Sequence, residues 1–254
     1  MRRVRLIIEE RGAPAYWNMA VDEALLELGA RGRGIETLRL YIFRPHAVTI
    51  GYFQRIREVV NLEAAQRLGV DVVRRFTGGG AVYHDPEGEV TYSYSAPLTP
   101  GLRDVARSYL IICMGIVEAA RLLGVTNVEF VPVNDVVANG RKFSGSAQGR
   151  RGEWLLQHGT FMYATDLDRL AELLVAPREK LASHGVRAVR ERVTTISEVL
   201  HREVTRDEVV RALVKGFEKA LGVELEEGEL TEEELRLAEE LSEKYRSAEW
   251  NFRR

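Results

Sequence analysis

Asn139-Gly140 constrains the fold of this chain more than any other dipeptide in it. It joins two β-prone runs, NDVVA and RKFSGSAQ, and an Asn-Gly pair in that setting is the strongest short-range hairpin signal, because both loop residues of the favoured turn need positive φ. An antiparallel strand pair is therefore expected at residues 134–148. A two-residue loop also sets the register. Val137 faces Lys142 and Asp135 faces Ser144, so Asp135, Val137, Lys142 and Ser144 share one face while Val136, Ala138, Arg141 and Phe143 share the other. That register holds an ammonium on a rigid strand with an acid and a hydroxyl beside it, although a surface cross-strand pair would give the same pattern.

Around the hairpin, strands and helices interleave. Residues 18–28 (NMAVDEALLEL) have the spacing of an amphipathic helix, and residues 38–43 and 47–51 read as strands either side of an Arg-Pro-His turn. Asn61 can cap a short helix ending before Gly69, which leads to a strand over residues 70–76. In EVTYSYS, residues 89–95, Val90, Tyr92 and Tyr94 alternate with Thr91, Ser93 and Ser95, the pattern of a half-buried strand with one hydroxyl-rich face. A long apolar-rich helix covers residues 102–123, with strands near 127–131 and 154–164. Thr205 with Glu208 and Thr231 with Glu234 match the capping box and start two C-terminal helices. The acidic VELEEGELTEEE reads as a solvated helix entry. With no repeat and no linker, residues 1–254 are expected to form one domain of α+β class, a mixed, mainly antiparallel sheet flanked by helices.

A net charge of −2 gives no basic field for a nucleic-acid backbone, so any phosphate chemistry must rest on local arginines. The opening MRRVRLIIEERG has too few consecutive apolar residues for a signal-peptide core or a membrane span, so a cytoplasmic, membrane-free protein is expected. The one cysteine, Cys113, sits in the long helical run, where it reads as a core thiol and excludes a disulfide or a cysteine-based metal cluster. Of the five lysines, Lys180, Lys215, Lys219 and Lys244 lie in helical patterns that a solvated face explains, and Lys142 does not.

Two further segments carry chemistry. RRFTGGGAVYHD, residues 74–85, ends a strand in two arginines and a glycine triplet. Such glycines let backbone approach a ligand and free amide hydrogens to face anionic oxygens, and the arginines can grip a phosphate. It is neither a P-loop nor a dinucleotide fingerprint, since no helix follows. LLQHGTFMYATD, residues 155–166, interrupts a strand with His158-Gly159, where a glycine marks a bulge or a close approach. His84 and His158 have no partner at metal-ligand spacing, and His46, His184 and His201 form no pattern.

In this order and at these separations, the three segments resemble the lipoate–protein ligase A family of the biotin and lipoate ligase superfamily. The family pattern of two arginines, a glycine triplet and a hydrophobic–aromatic–His-Asp ending runs from Arg74 to Asp85. Its later markers appear as Gly140-Arg141-Lys142, Gly145-Ser146-Ala147 and His158-Gly159-Thr160. Gly51-Tyr52-Phe53-Gln54, Arg190-Glu191-Arg192-Val193 and Glu249-Trp250-Asn251 extend the likeness over nearly the whole chain. The resemblance implies ATP-dependent activation of lipoate to lipoyl-AMP and transfer to a lysine of an acceptor. It implies nucleotide contacts from Arg75, Gly80, Ala81, Val82, Tyr83 and Lys142. Lipoate contacts would come from Arg74, Gly78, Gly79, Lys142, His158 and Gly159, with Lys142 catalytic and His84, Asp85, Asp135 and Ser144 supporting. Mg2+ would arrive with ATP, Asp135 being its candidate protein ligand. The implied acceptors are lipoyl domains of 2-oxoacid dehydrogenase acyltransferases and the glycine-cleavage H protein. The chain ends soon after Trp250, like the archaeal form whose accessory C-terminal domain is a separate polypeptide.

Glu89 departs from the family's usual asparagine after His-Asp-x-Gly. A related class transfers octanoyl groups from acyl carrier protein through a cysteine thioester, and Gly145-Ser146-Ala147-Gln148 is reminiscent of it. That chemistry needs an activated thiolate beside the lysine, and residues 127–135 and 160–166 contain no cysteine. Biotin ligases mark the loop with a glycine–arginine repeat rather than a glycine run. A non-enzymatic carrier on the same scaffold would not need both Arg75 and Lys142.

Overall fold

The computed structural model describes residues 2–175 and 185–253, so Lys180 and His184 lie outside the described residues. The opening segment is a long strand, β1 (Arg2–Ala13), followed by α1 (Ala15–Ala30), β2 (Thr37–Phe43), β3 (Ala47–Ile50), α2 (Ile56–Val59) and α3 (Leu62–Leu68). Then come β4 (Asp71–Arg74), β5 (Val82–His84), β6 (Glu89–Pro97), α4 (Val105–Leu122), β7 (Val128–Val131), β8 (Asp135–Ala138), β9 (Arg141–Arg151) and β10 (Trp154–Met162). The chain continues through α5 (Leu167–Leu173), α6 (Gly185–Arg192), α7 (Ile196–Leu200), α8 (Arg206–Leu221), β11 (Val223–Glu227), α9 (Glu232–Arg246) and α10 (Ala248–Asn251).

An eight-stranded sheet has the order β11-β1-β2-β6-β10-β9-β8-β7, and a three-stranded sheet the order β4-β3-β5. In the large sheet only the pairings of β1 with β2 and β11 are parallel. The fold is thus α+β, with a mixed, mainly antiparallel sheet and helices on its faces. α4 and α8 pack with Leu38, Leu40, Tyr92, Leu155 and Phe161 into one core, while α1 and α9 enclose Tyr41, Phe43 and Leu156 in a second. A third core joins the small sheet to α3 and α5. No helix of the described residues is long and apolar enough to cross a membrane.

Local chemistry acts as expected at several points. Asn139 and Gly140 take φ of 50° and 74°, both positive as the primed turn requires. Asn61 Oδ1 accepts from the Ala64 amide at 3.1 Å to start α3, and Gly69 ends it in the left-handed region. Both capping boxes form at Thr205 and Thr231.

Four expectations need correction. Part of the acidic run is a strand, not a helix entry: β11 pairs with β1, its alternation burying Val223 while Glu226 meets Arg3 at 2.9 Å. β6 is buried on both faces, because α4 and α8 cover its aromatic side and α1 its hydroxyl side. Those hydroxyls turn to internal acceptors, Ser93 donating to Asp22 at 2.8 Å and Thr91 to Glu89 at 2.6 Å. α1 is buried nearly all round rather than on one stripe, since α9 covers the side facing away from the sheet and Glu23 meets Lys244 and Tyr245 there. Finally, β9 carries a bulge at Phe143, so Asp135 lies opposite Gly145 and Ser144 opposite Val136. Ser144 is therefore buried on the apolar face and is not beside Lys142.

Candidate functional site

Where the small sheet meets the middle strands of the large one, a cavity of about 530 Å³ opens, counting the solvent at its mouth. One wall is the glycine loop after β4. Arg75 lies beneath it, 4% exposed, and donates through Nη2 to the carbonyls of Gly78 (2.8 Å) and Gly80 (3.0 Å). With those carbonyls turned toward the guanidinium, the amides of Gly78, Gly79 and Gly80 have no acceptor among the described residues, and Gly79 alone of the three has positive φ, 96°. The result is a run of free backbone donors above a buried cation, suited to an anion. Burial pushes the Arg75 guanidinium down to about 10, which still leaves it charged at neutral pH. No carboxylate among the described residues comes within ion-pair distance of it.

Two similar hydrogen-bond arms hold Arg75 from behind. In one, Nε donates to Thr77 Oγ1 (3.3 Å), Thr77 meets His158 Nε2 (2.7 Å), and His158 Nδ1 meets Asp22 (2.9 Å). In the other, Nη1 donates to Thr49 Oγ1 (3.1 Å), Thr49 meets His84 Nε2 (2.9 Å), and His84 Nδ1 meets Glu89 (3.0 Å). Asp22 also accepts from Arg39 (3.1 Å), Tyr41 (2.8 Å) and Ser93 (2.8 Å). Burial would raise the Asp22 pKa, but the His158 hydrogen bond and the Arg39 charge hold it below the usual carboxylate range. Burial lowers His158, and the neighbouring Asp22 only partly offsets this, so the ring is neutral near pH 7.

The opposite wall carries Lys142. Its Nζ lies 2.6 Å from Asp135 Oδ1, and Thr194 N donates to its carbonyl at 2.9 Å. Gly145 provides the space for the ammonium: a Cβ there would stand 2.5 Å from Nζ. At Gly159 the strand has no bulge. Its pairing with β6 runs unbroken, and the glycine permits a close approach, since a Cβ would meet Ser146 Oγ at 2.6 Å.

Of the residues expected at a site, Arg75, Gly79, Gly80, Ala81, Val82, His84, Lys142, His158 and Gly159 line the cavity, and Arg74, Gly78, Tyr83, Asp85, Asp135 and Ser144 do not. Arg74 points away from it. Its guanidinium binds the carbonyls of Gly51, Tyr52, Gln54, Trp250 and Asn251, tying the Gly51–Gln54 turn to the C-terminal helix. Tyr83 is buried with its hydroxyl on His46 Nδ1 (2.8 Å), and Asp85 accepts from the Asp166 amide (2.8 Å) at the start of α5. Sequence reasoning missed Met19, Tyr41, Phe43, Thr49, Thr91 and Asn134 in the lining and the Asp22–Arg39 pair behind it. The available signal was a charge inside an apolar run: Asp22 in NMAVDEALLEL and Arg39 in TLRLYIF.

A family model, the lipoyl protein ligase A/B catalytic domain, matches residues 14–218. The chain belongs to this lipoyl protein ligase A/B family. Octanoyltransferase LipM of Brevibacillus brevis is 37% identical over a 282-residue alignment that covers 100% of both chains. The LipM of Staphylococcus aureus is 35% identical, over 94% of this chain and 95% of its own. Among solved structures, the bi-partite lipoate protein ligase of Thermoplasma acidophilum, described with its E2 lipoyl domain, superposes with a TM-score of 0.87 at 32% identity, over 99% of this chain and 97% of that one. A lipoate-protein ligase A bound with ATP gives 0.85 at 31%, over 99% of each chain. Membership of the lipoyl protein ligase A/B family makes the chain an enzyme of lipoyl-type protein modification. Its relatives include both octanoyltransferases and lipoate protein ligases.

Proposed function

We propose that residues 1–254 act as one catalytic domain that activates lipoate with ATP to lipoyl-AMP and transfers the lipoyl group to a lysine of an acceptor lipoyl domain. The observation that carries the ATP route is the place of the only cysteine. Cys113 is 0% exposed in α4, behind Ser146 and Gln157, and burial pushes its thiol up to about 11, so it offers the cavity no thiolate. A covalent acyl-cysteine step has no nucleophile here. Among the described residues, the cavity is faced by the Lys142 ammonium, the buried Arg75 guanidinium and free loop amides, all suited to negative charge.

In this reading a lipoate carboxylate oxygen attacks the α-phosphorus of ATP, and pyrophosphate departs. Charge on the equatorial oxygens is met by Lys142 and the loop amides. The acceptor lysine amine then attacks the acyl carbonyl, polarised by Lys142, and AMP leaves. Arg74 supports this from outside the cavity, holding the Gly51–Gln54 turn. Among the described residues no three potential metal ligands converge, and Asp135 is the carboxylate set beside Lys142. Mg2+ commonly takes one or two carboxylates with substrate phosphates, so Asp135 fits a magnesium brought by the nucleotide. Dependence on ATP fits a cytoplasmic location.

A second reading, octanoyl transfer without ATP, is favoured by the full-length relatives, which are octanoyltransferases. One experiment separates the two. The chain is incubated with a lipoyl domain and either lipoate, Mg2+ and ATP or octanoyl-acyl carrier protein, and mass spectrometry follows adenylate and acylated acceptor. Adenylate that disappears in Lys142→Ala supports the ligase, and adenylate without transfer points to a separate accessory polypeptide. ATP-independent transfer from the carrier protein, with no adenylate, refutes the ligase and supports the transferase.

A further inference from the structure

Arg75 is a buried cation with no carboxylate within ion-pair distance among the described residues. Glu89, 1% exposed, is a buried carboxylate with no arginine or lysine at that distance among the described residues. An isolated buried charge of either sign is costly, so the two demand each other. The structure joins them through Thr49 and His84.

The donors and acceptors run in one direction. A carboxylate only accepts, so His84 donates its Nδ1–H to Glu89 at 3.0 Å, and Thr91 donates to the other carboxylate oxygen at 2.6 Å. His84 Nε2 is then the acceptor for the Thr49 hydroxyl, whose lone pairs are left for Arg75 Nη1 at 3.1 Å. The imidazole is held flat by stacking on Phe43, 3.8 Å between ring centres. Nη1 also donates to the Thr49 carbonyl (2.9 Å), so one residue fixes one side of the guanidinium while Nη2 holds the glycine loop.

We propose that Glu89 and His84 are positioning residues: the Thr49–His84–Glu89 arm supplies the remote counter-charge of Arg75 and fixes its N–H directions, leaving its field free for the carboxylate or phosphate of the substrate. Part of this rests on the functional reading, in which an anionic acid occupies the cavity. A glutamine at Glu89 can present an N–H to Nδ1, which moves the imidazole proton to Nε2, turns the Thr49 hydroxyl toward Arg75 and breaks the arm at unchanged shape.

The test is a double-mutant cycle of Glu89→Gln and Thr49→Val in the full chain, with calorimetric binding of lipoate and its neutral amide, lipoamide, and 15N NMR of the His84 ring. Loss of one charge-assisted hydrogen bond sets the scale, so each single variant is expected to lose about tenfold in lipoate affinity. The double variant should be no worse than either, lipoamide should bind unchanged, and Glu89→Asp should recover most of the loss. His84 should carry its proton on Nδ1 in wild type and on Nε2 in Glu89→Gln. Multiplicative losses, equal weakening of acid and amide, or an Nε2 proton in wild type would overturn the proposal. If Glu89→Gln does not fold, Thr49→Val keeps the acid-against-amide comparison. A wild-type chain that binds neither ligand overturns the functional reading, and the ring spectrum then decides the arm alone.

Discussion

Replacing Gly145 by alanine puts a methyl group where the Lys142 ammonium sits. The added Cβ would lie 2.5 Å from Nζ and 2.7 Å from Cε, whereas ordinary contacts need roughly 3.5–4.0 Å. The ammonium must therefore move by about 1 Å or more, away from Asp135 and the position it holds at the cavity wall. Misplacing a catalytic group by that distance costs on the order of 100-fold in rate, or about 2.7 kcal/mol of transition-state stabilisation. The fold should not suffer, because φ at Gly145 is not in the left-handed region and the displaced atoms end a flexible side chain. Reduced backbone freedom in the unfolded chain even favours alanine by about 0.4–1 kcal/mol. The assay is the initial rate of acyl transfer to a lipoyl domain at saturating acid, with thermal melting alongside. A rate within threefold of wild type, or a melting temperature lowered by several degrees, would refute the claim that Gly145 is the seat of a catalytic lysine.

Lys142→Arg should lose adenylate formation as fully as Lys142→Ala, because a planar fork does not reproduce a point charge at one oxygen; pyrophosphate exchange checks it. Cys113→Ala should cost about 1–2 kcal/mol of stability in denaturant melts and leave acyl transfer within twofold, and loss of transfer would revive the thioester reading. Stability should also fall on acidification. His158 is lowered by burial, so the unfolded chain gains its proton first and stability declines as pH falls below about 6.5. Asp22 has a depressed value, so its contribution is present above about pH 4 and is lost as pH falls through its folded value. Thermal melts from pH 8 to pH 3.5 test this, and a curve flat between pH 7 and pH 5 would contradict the neutral buried His158.

Elements whose chemistry is local were readable from the sequence. The Asn139-Gly140 turn, the Asn61 cap and the two threonine capping boxes each satisfy their own backbone within four residues, and each forms as expected. β1 and β11 were not seen, because a parallel pair about 220 residues apart leaves no local mark beyond short alternation in a charged run. The two-sided burial of β6 was also hidden, since hydroxyls at alternate positions look the same whether they face water or buried carboxylates. Ser144 was misplaced because one extra residue in β9 moves every later side chain by one position.

The site divides along the same line. Residues that meet the cavity from a continuous motif, such as Gly79 to Val82, Lys142 and His158, could be found in the sequence, whereas Asp22, Thr49 and Glu89, which reach Arg75 through hydrogen bonds, lie on separate elements. Their arrangement explains why no acidic residue marks the loop itself. Two opposite charges about 4 Å apart in a partly solvated protein attract by roughly 4 kcal/mol, and a substrate phosphate would have to compete with that for Arg75. Set back behind a threonine and an imidazole, Asp22 and Glu89 balance the charge through hydrogen bonds while the face of the guanidinium toward the cavity keeps its field. A direct Arg75–carboxylate pair would have been easier to recognise in sequence, and it would have made a weaker anion site.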